Sequence, residues 1–327
     1  MKAVYIKEFG GSDNLEIREV SDPPKPTGAQ VLVRIKATGL NRADLIQRRG
    51  FYPPPAGYSP NIPGLEFAGE VFETGETNAF KTGDRVFGIT GGEAQAELLT
   101  IDQSLLASIP DNLSFEEAAA IPEVFITAHD AIFTQCELKQ GESLLIHAVG
   151  SGVGLAALQI AKAKGAVVYG TSRTLSKLDQ CTPFGLDGGV AIGGDIKFTE
   201  EVTAMNGGRG IDVILDLVGG AYFPENLKAL APKGRIIQVG LTAGRTAEID
   251  LGTLLMKRAK VIGTTLRGRS TEEKAKAVKA FAEDVLPLIA SDEIMPNLDR
   301  VYDYTDVRTA HDYLESNESF GKVVLRF

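Results

Sequence analysis

The chain has 327 residues, 43% of them hydrophobic, and its 34 basic and 43 acidic residues give a formal net charge of -9. This length exceeds what one core usually organises, so we expect two domains, and the negative charge argues against nucleic acid as a partner. Cys136 and Cys181 form no CxxC pair, which argues against a disulfide framework or a cysteine-rich metal site. With no signal-peptide pattern and no membrane-length apolar window, we expect a soluble cytoplasmic protein.

The first third of the chain has the pattern of a β-rich domain. Short alternating runs such as AVYI, QVLVRIKATG and EFAGEVFETG are separated by Gly and Pro clusters. The proline-rich stretch FYPPPAGYSPNIPG predicts an ordered loop long enough to carry function. Helical character begins with SFEEAAAIPEVFITAHDAIF, where Ser114 is the expected N-cap and Glu117 completes a capping box. The first domain boundary is therefore predicted near residue 120.

The middle of the chain alternates between strand and helix patterns. Six apolar strands are predicted, each followed by a helical stretch or a turn, and together they indicate a doubly wound parallel sheet of the Rossmann type. The six runs are SLLIHA, AVVYGT, GGVAI, DVILDLV, GRIIQVG and KVIGTTL. After residue 270 a long amphipathic helix, a strand, a short helix and the strand KVVLRF indicate a return to the first domain. We thus predict a β-rich domain over 1–120, completed by 268–327, and a Rossmann domain over 121–267.

The stretch HAVGSGVGL follows the first of these parallel strands. Its glycines read GxGxG over Gly150, Gly152 and Gly154, and only Gly152, Gly154 and Ala157 fit the looser GxGxxA form. A strand, a tight turn and a helix starting near Val153 would aim free backbone N–H groups at a pyrophosphate. A close strand-to-helix crossing that needs small residues for packing is the alternative interpretation.

The end of the second parallel strand indicates which dinucleotide is preferred. An acidic residue at this point would hydrogen-bond an NAD ribose, and the sequence has none. Instead Thr171, Ser172 and Arg173 end the strand, and Lys177 follows one helical turn later. Hydroxyl and positive groups suit a 2′-phosphate, so NADPH is favoured over NADH. Alternatively, Arg173 and Lys177 form only the solvated start of a helix.

Several motifs in order resemble the medium-chain dehydrogenase/reductase superfamily, in its zinc-free quinone oxidoreductase branch. They are KATGLNRADLIQRRGFYPPP, IPGLEFAGEV, KTGDRVFG, IHAVGSGVGLAALQIAK, GIDVILDLVGG, LAPKGRIIQVG and FGKVVLRF. The run NRADLIQRRG with the following YPPP is especially similar to the tumour-suppressor-inducible members of that branch. The resemblance runs from end to end and implies a GroES-like catalytic domain beside the Rossmann domain, with NADPH in the cleft between them.

The same resemblance implies a set of cofactor-binding residues. The branch's AxxGxxG fingerprint falls on Ala148, Ser151 and Gly154, with serine in place of the middle glycine. Other expected contacts lie near the nicotinamide, after the fifth and sixth strands, and in the C-terminal stretch that closes over the dinucleotide. The complete expected set is Thr127, Ala148, Gly150, Ser151, Gly152, Val153, Gly154, Thr171, Ser172, Arg173, Lys177, Gly240, Leu241, Leu266, Arg267, Asn317 and Lys322.

Zinc-dependent relatives carry a catalytic Cys, a His and a second Cys at positions that correspond here to Asn41, Leu65 and Glu123. The neighbouring Glu66 is present, but one or two carboxylates do not make the three-ligand site that a catalytic zinc needs. No metal is predicted, and Glu66 and Glu123 have an alternative interpretation as buried or rim carboxylates paired with Arg or backbone.

The resemblance also implies that Asn41, Asp44 and Tyr52 line the catalytic site. Asn41 and Tyr52 can hydrogen-bond a quinone oxygen, and Tyr52 is one candidate proton donor. Each has a structural alternative: Asn41 could cap the helix RADLIQRR, Asp44 could pair with an Arg, and Tyr52 could cover the proline loop.

Without a Lewis acid, an easily reduced acceptor is the expected substrate, because a quinone spreads the incoming charge over a conjugated ring. We therefore predict an NADPH:quinone oxidoreductase. The alternatives are a reductase of activated C=C bonds and a non-catalytic NADPH-binding protein. The sixth parallel strand is expected at a sheet edge, where it would pair with a second copy to form a homodimer. The three histidines are expected to be structural, with His311 on the polar side of its helix.

Overall fold

The computed structural model describes residues 1–76 and 79–327. The chain divides into two compact units, one formed by Met1–Ile126 with Leu266–Phe327 and the other by Thr127–Thr265. Within the described residues, no helix has the length and apolar character needed to cross a membrane.

The strands are, in chain order, β1 Lys2–Ile6, β2 Leu15–Glu19, β3 Gln30–Leu40, β4 Glu66–Thr74, β5 Arg85–Ile89, β6 Leu98–Asp102, β7 Leu106–Ser108, β8 Ser143–Ile146, β9 Val167–Ser172, β10 Gly188–Ala191, β11 Ile211–Asp216, β12 Leu230–Gln238, β13 Lys260–Gly263, β14 Leu298–Asp303 and β15 Lys322–Arg326. The α-helices are α1 Arg42–Arg48, α2 Phe115–Ala119, α3 Pro122–His129, α4 Gly152–Ala163, α5 Leu175–Cys181, α6 Thr199–Met205, α7 Phe223–Ala229, α8 Leu251–Lys257, α9 Thr271–Asp284, α10 Leu286–Ala290 and α11 Val307–Ser316.

The first unit is built on a mostly antiparallel sheet. Its strand order is β14-β15-β3-β4-β5-β7, with β6 also paired to β3, while β1 and β2 form a separate hairpin-like pair. The last strand of the chain, β15, lies antiparallel to β3 and so ties the C-terminal segment into this unit. Alternate side chains of β3 and β4 enter the core, as the period of two in their sequences requires. This is the GroES-like half of the predicted fold.

The second unit is a six-stranded parallel sheet. Its order is β10-β9-β8-β11-β12-β13, and every pairing between neighbours is parallel. In order of appearance this is 3-2-1-4-5-6, the doubly wound Rossmann arrangement. The central strands β8 and β11 are mostly apolar and almost completely buried, since helices cover both faces of such a sheet. The predicted α/β fold class is confirmed, and β13 lies at the sheet edge as expected.

Prolines shorten two of the predicted helices. The stretch after Ser114 forms α2 and α3 instead of one helix, with Pro122 as the first residue of α3, where a missing N–H costs nothing. The Ser114–Glu117 capping box is confirmed. The long C-terminal helix likewise ends at Asp284, and α10 begins again with Pro287 in its first turn.

The expected exposure of His311 is wrong. His311 lies in α11 but is completely buried, next to the buried guanidinium of Arg48 at 3.5 Å. Burial lowers the pKa of His311 to about 3, and the Arg48 charge acts in the same direction. The ring is therefore neutral and belongs to the packing between α1 and α11.

Candidate functional site

The second unit has a tight corner at the carboxyl end of its first strand. β8 ends at Ile146, so the last two residues of the predicted run SLLIHA lie beyond the strand, and Ala148 takes a left-handed backbone conformation with φ of 51°. Ser151 is the N-cap of the 12-residue helix α4, which begins at Gly152. The corner therefore places a helix N-terminus at the carboxyl edge of a parallel sheet, where doubly wound proteins bind nucleotides.

Hydrogen bonding at this corner shows which amides remain for a ligand. The Ser151 hydroxyl accepts from the Gly154 N–H at 3.2 Å, and the Leu155 N–H donates to the Ser151 carbonyl at 2.8 Å. Helix geometry provides no intrahelical acceptor for the N–H groups of Gly152 and Val153. These two amides and the positive end of α4 suit a phosphate group.

Gly154 is required for close packing at the same corner. A Cβ at this position would lie 2.5 Å from the Val149 carbonyl oxygen and 2.6 Å from that of Ala148. Those separations are far below van der Waals contact, so no larger residue fits without moving the turn. The packing interpretation of the glycine motif thus applies to Gly154, while Gly152 and Val153 retain the capacity to bind phosphate.

A buried chain of hydrogen bonds lies directly behind the corner. The Asp216 carboxylate accepts from the Asn226 side-chain amide at 2.8 Å, and the Asn226 carbonyl oxygen is 2.5 Å from His147 Nε2. His147 Nδ1 is 2.8 Å from the Thr171 hydroxyl. Because the Asn226 amide donates to Asp216, its oxygen accepts from Nε2–H, and Nδ1 then accepts from Thr171. Burial lowers the pKa of His147, which keeps the ring neutral.

This chain of hydrogen bonds changes the expected role of Thr171. Its side chain is buried, and its hydroxyl proton is already donated to His147, so Thr171 has no proton left for a 2′-phosphate. Ser172 is also buried, whereas Arg173 is exposed and Lys177 is partly exposed in the first turn of α5. The charged groups predicted for the phosphate are thus accessible, and the threonine holds β8 and β9 together.

The remaining predicted cofactor residues divide between the units. In the second unit, Thr127 lies in α3, and Gly240 and Leu241 follow β12, with Leu241 exposed. In the first unit, Leu266 is buried, and Asn317 ends α11 with its side-chain oxygen accepting from Arg42 at 2.7 Å. β13 ends at Gly263, so Leu266 and Arg267 lie beyond the strand instead of at its end. Contact of these residues with a dinucleotide stays a prediction.

The first unit contains a buried ion pair among the residues predicted for catalysis. The Lys322 ammonium is 2.5 Å from Glu66 Oε1, and it also donates to Asn41 Oδ1 and to the Leu40 carbonyl, each at 2.8 Å. The Asn41 amide donates to Glu66 at 2.7 Å and to the Gly39 carbonyl at 3.3 Å. Three acceptors satisfy the three protons of Lys322, and Asn41 uses both its donors. The Lys322 ammonium is turned into this buried cluster, and its predicted contact with a dinucleotide stays a prediction.

Asp44 is also enclosed by protein. Its carboxylate accepts from the backbone N–H of Asn41 at 2.8 Å, which caps α1, and from the backbone N–H of Gly64 at 3.0 Å. Burial raises the pKa of Asp44 to about 6, against the lowering effect of these bonds and of Arg267. The side chain is completely buried, and both of these hydrogen bonds come from backbone amides. The predicted contact of Asp44 with a substrate stays a prediction.

Arg267 holds the proline-rich loop against α1. Its guanidinium donates to the Tyr52 carbonyl at 2.9 Å, to the Gly91 carbonyl at 2.8 Å and to the Gln47 side chain at 2.5 Å. It also lies over the Tyr52 ring, 4.9 Å from the centroid. Partial burial raises the pKa of the Tyr52 phenol, with a lowering effect from Arg267. Tyr52 itself is only partly buried and makes no side-chain hydrogen bond among residues 1–76 and 79–327.

Glu123 lies in the first turn of α3, next to the buried pair. Its backbone N–H donates to Glu66 Oε2 at 2.8 Å, and its side chain is partly exposed. Burial, and then the charge of Glu66, raise the pKa of Glu123 to about 8. In the part of the chain that the structure describes, no group of three His, Cys, Asp or Glu side chains could hold a metal ion.

Comparisons with known proteins match both units. A family profile described as "Alcohol dehydrogenase GroES-like domain" matches residues 27–124, and one described as "Zinc-binding dehydrogenase" matches 152–283. The human quinone oxidoreductase is 32% identical over 336 residues, covering 99% of this chain and 97% of the relative.

Two solved structures extend the comparison. The quinone oxidoreductase of Escherichia coli complexed with NADPH superposes with a TM-score of 0.89 at 29% identity, covering all of both chains. The CurK enoyl reductase gives a TM-score of 0.87 at 25% identity, covering 99% of this chain and 98% of that one.

Together with these comparisons, the fold and the corner after β8 define the chain as an oxidoreductase that combines a Rossmann unit with a GroES-like unit. More narrowly, the chain belongs to the medium-chain dehydrogenase/reductase superfamily and to its quinone oxidoreductase branch.

Sequence reasoning missed two features of these sites. The contact between Arg267 and Tyr52 joins residues 215 positions apart, and no local pattern signals such a pair. The hydrogen-bonded chain from Asp216 to Thr171 was also missed, although each member stands at or just after the end of a parallel strand, or on α7 beside it. That shared position is the signal that could have revealed it.

Proposed function

We propose that this protein reduces quinones by hydride transfer from NADPH, without a metal ion. The observation that supports this most strongly is the similarity over the full length of both chains to a quinone oxidoreductase whose solved structure contains NADPH. The human relative with the same activity in its name is similar over nearly its whole length. The low cysteine count is consistent with a cytoplasmic location.

The corner after β8 fits the pyrophosphate of the cofactor. The N–H groups of Gly152 and Val153 would hold it, while Ser151 keeps the first turn of α4 in place through its bond to Gly154. Arg173 and Lys177 would hold the 2′-phosphate, because both are accessible and positively charged and no carboxylate replaces them at the end of β9. When bound, the reduced nicotinamide supplies the hydride.

Around the acceptor, we assign different roles to the three predicted catalytic residues. Tyr52 has a phenol without a protein partner among the described residues, so it is the group proposed to hydrogen-bond the acceptor. Asn41 and Asp44 were predicted as catalytic residues, and we propose instead that they act as positioning residues. Asn41 is bonded to Glu66 and Lys322, and Asp44 is bonded to backbone amides. They would fix the start of α1 beneath the acceptor.

Metal-free chemistry is part of the proposal. The positions that hold zinc ligands in zinc-dependent relatives carry Asn41, Leu65 and Glu123, and Leu65 has no ligating atom. Carboxylate and amide oxygens alone are a poor match to the sulfur and nitrogen donors of catalytic zinc. An acceptor that stabilises its own negative charge fits such a site best.

Reduction of an activated C=C bond is a second candidate function. It is supported by the structural similarity to an enoyl reductase, which covers nearly all of both chains. Such a reaction also begins with hydride transfer, but it ends with protonation of a carbon atom and so depends more on a positioned acid. A third possibility, a protein that binds NADPH without catalysis, predicts binding with no acceptor-dependent turnover.

The test is steady-state oxidation of NADPH and of NADH against a panel of quinones and enones, each with and without a chelator. The proposal predicts turnover with quinones, a higher kcat/KM for NADPH than for NADH, and no effect of the chelator. Faster turnover of enones would favour the second function. Loss of activity in the chelator would contradict the metal-free proposal.

We also propose that two copies pair through β13. This edge strand has mostly exposed side chains, and the neighbouring α8 exposes Leu251, Leu255 and Met256. An unpaired edge beside exposed apolar side chains favours association. Light scattering should give twice the chain mass, and Val261→Asp on β13 should give the single mass. Val301→Asp, a matched change at the edge strand β14, should leave the mass unchanged, and a monomeric wild type would rule out this dimer.

A further inference from the structure

Two glutamates of the first unit lie side by side in opposite environments. The Glu66 carboxylate is completely buried and accepts from Lys322, from the Asn41 amide and from the Glu123 backbone. The Glu123 carboxyl accepts no hydrogen bond from any described residue, and its side chain keeps some exposure. Protein donors therefore occupy both oxygens of Glu66, and the Glu123 carboxyl is the member of the pair that is open to a ligand.

Charged groups from several elements act on Glu123. Glu66 on β4 and Asp44 on α1 favour its protonated form, while Lys322 on β15 and Arg267 favour its ionised form. Burial has the largest effect on the pKa of Glu123, and together with Glu66 and Asp44 it outweighs the lowering effects of Lys322 and Arg267. With a pKa of about 8, Glu123 holds a proton at neutral pH and can release it.

Lys274 on α9 is a further neighbour of the same carboxyl. Its side chain is buried, burial lowers its pKa, and the charge of Glu123 acts against that lowering. A lysine in this state is a second group that could titrate near the acid. Any kinetic test of Glu123 must therefore separate it from Lys274.

Glu123 is also close enough to Tyr52 to influence it. The charge of Glu123 contributes to the raised pKa of the Tyr52 phenol, and Arg267 acts on both groups. A phenol with a pKa above its ordinary value near 10 is a weak acid at neutral pH. Neither the Tyr52 phenol nor the Glu123 carboxyl has a side-chain hydrogen bond to any residue that the structure describes. Of these two groups, the carboxyl has the pKa better suited to proton transfer at neutral pH.

We propose that Glu123 is the acid that protonates the reduced acceptor, with Tyr52 orienting the acceptor oxygen. This inference rests on the proposed function. When bound, NADPH would supply the hydride that converts the quinone into a hydroquinone monoanion, and it would leave as NADP. The O–H bond of the Glu123 carboxyl then breaks, an O–H bond forms on the anionic oxygen, and Glu123 is left as a carboxylate. A proton from water restores the acid, so one hydride and one proton are consumed per turnover.

The protonation state is tested first on the protein without cofactor. Carbon-13-edited infrared difference spectroscopy across a pH titration should show a carboxylic-acid C=O band at pH 7 that disappears with a midpoint of about 8. The band should be missing in Glu123→Gln and retained in Glu116→Gln, a matched change in the neighbouring α2. A midpoint near the ordinary glutamate value would overturn the proposal.

The catalytic role is tested by the pH dependence of kcat. In the wild type, kcat for the best acceptor should fall above pH 8 with the loss of one proton. Glu123→Gln should lose about 100-fold in kcat at pH 7 and show no such decline, because an amide transfers no proton. Glu123→Asp should restore part of the rate, and Glu116→Gln should behave as wild type. The dissociation constant of NADPH, measured by its fluorescence, should stay within twofold in all three variants, which reports intact folding.

The outcomes separate this inference from the proposed function. If none of the acceptors supports oxidation of NADPH by the wild type, the proposed function fails and Glu123 has no reaction in which to act as an acid. If the wild type is active but Glu123→Gln keeps the decline above pH 8, Glu123 is not the acid. If the decline of kcat above pH 8 disappears in Tyr52→Phe or in Lys274→Met but persists in Glu123→Gln, the substituted residue is the proton donor, and the inference is overturned.

Discussion

Removal of the Lys322 ammonium should expose how much the first unit depends on its buried ion pair. Lys322 is 4% exposed and Glu66 is not exposed, and three short hydrogen bonds satisfy the ammonium. Lys322→Met would leave the Glu66 carboxylate buried without a counter-charge. Breaking one side of a buried pair costs about 3–5 kcal/mol, a large fraction of the ~5–15 kcal/mol that stabilises a typical domain.

The measurement needs a probe that reports on the first unit separately. Because the chain contains no Trp, urea unfolding is followed by far-ultraviolet circular dichroism, and hydrogen exchange with mass spectrometry assigns the loss of protection to individual strands. Lys322→Met should increase exchange in β3, β4 and β15 and leave the parallel sheet of the second unit unchanged.

Two controls define what would refute the reasoning. Lys276→Met removes a lysine from an exposed ion pair on α9 and should have no measurable effect. Adding Glu66→Gln to Lys322→Met should recover about 1–3 kcal/mol, because it removes the uncompensated charge. If Lys322→Met is no less stable than Lys276→Met, the buried pair does not carry the role assigned to it.

Three further predictions concern the second unit. Gly154→Ala should cost about 1–3 kcal/mol of stability and weaken NADPH binding in a fluorescence titration, because the new Cβ would collide with two carbonyl oxygens. Gly193→Ala is the control and should be neutral, because the space around Gly193 is open. Arg173→Glu should weaken NADPH binding by about 1.5–3 kcal/mol and leave NADH binding unchanged, with both affinities measured by calorimetry. Lys164→Glu, at the far end of α4, is the control and should change the affinities for NADPH and NADH by similar amounts. Asn226→Leu should cost about 1–3 kcal/mol in a thermal melt by interrupting the buried hydrogen-bonded chain behind the corner, and an unchanged melting temperature would contradict that chain.

Periodic patterns made most of the fold predictable from the sequence. The six parallel strands are long apolar runs spaced by helical stretches, and their order follows from the doubly wound topology once the strands are known. The edge strand β7 was harder to predict, because its three residues are too few for periodicity to separate them from a loop. Helix ends were set by Pro122 and Pro287, which local sequence does signal.

The sites were less predictable because their contacts are remote in sequence. Asn41 and Lys322 are 281 positions apart, and only the pairing of β15 with β3 brings their strands together. Sequence resemblance predicted that Lys322 contacts the dinucleotide, but it could not show that the Lys322 ammonium forms an ion pair with Glu66. The same limit applies to Thr171, whose hydroxyl is engaged by a histidine that the strand pattern alone leaves unassigned.

The central claim is hydride transfer from a bound reduced dinucleotide to an acceptor. Its most direct test is the rate of acceptor-dependent oxidation of NADPH carrying deuterium on one or the other face of the nicotinamide C4. The account predicts a primary isotope effect for one face only, with quinone as acceptor. Tight binding of NADPH with no acceptor-dependent oxidation by any quinone or enone would contradict it.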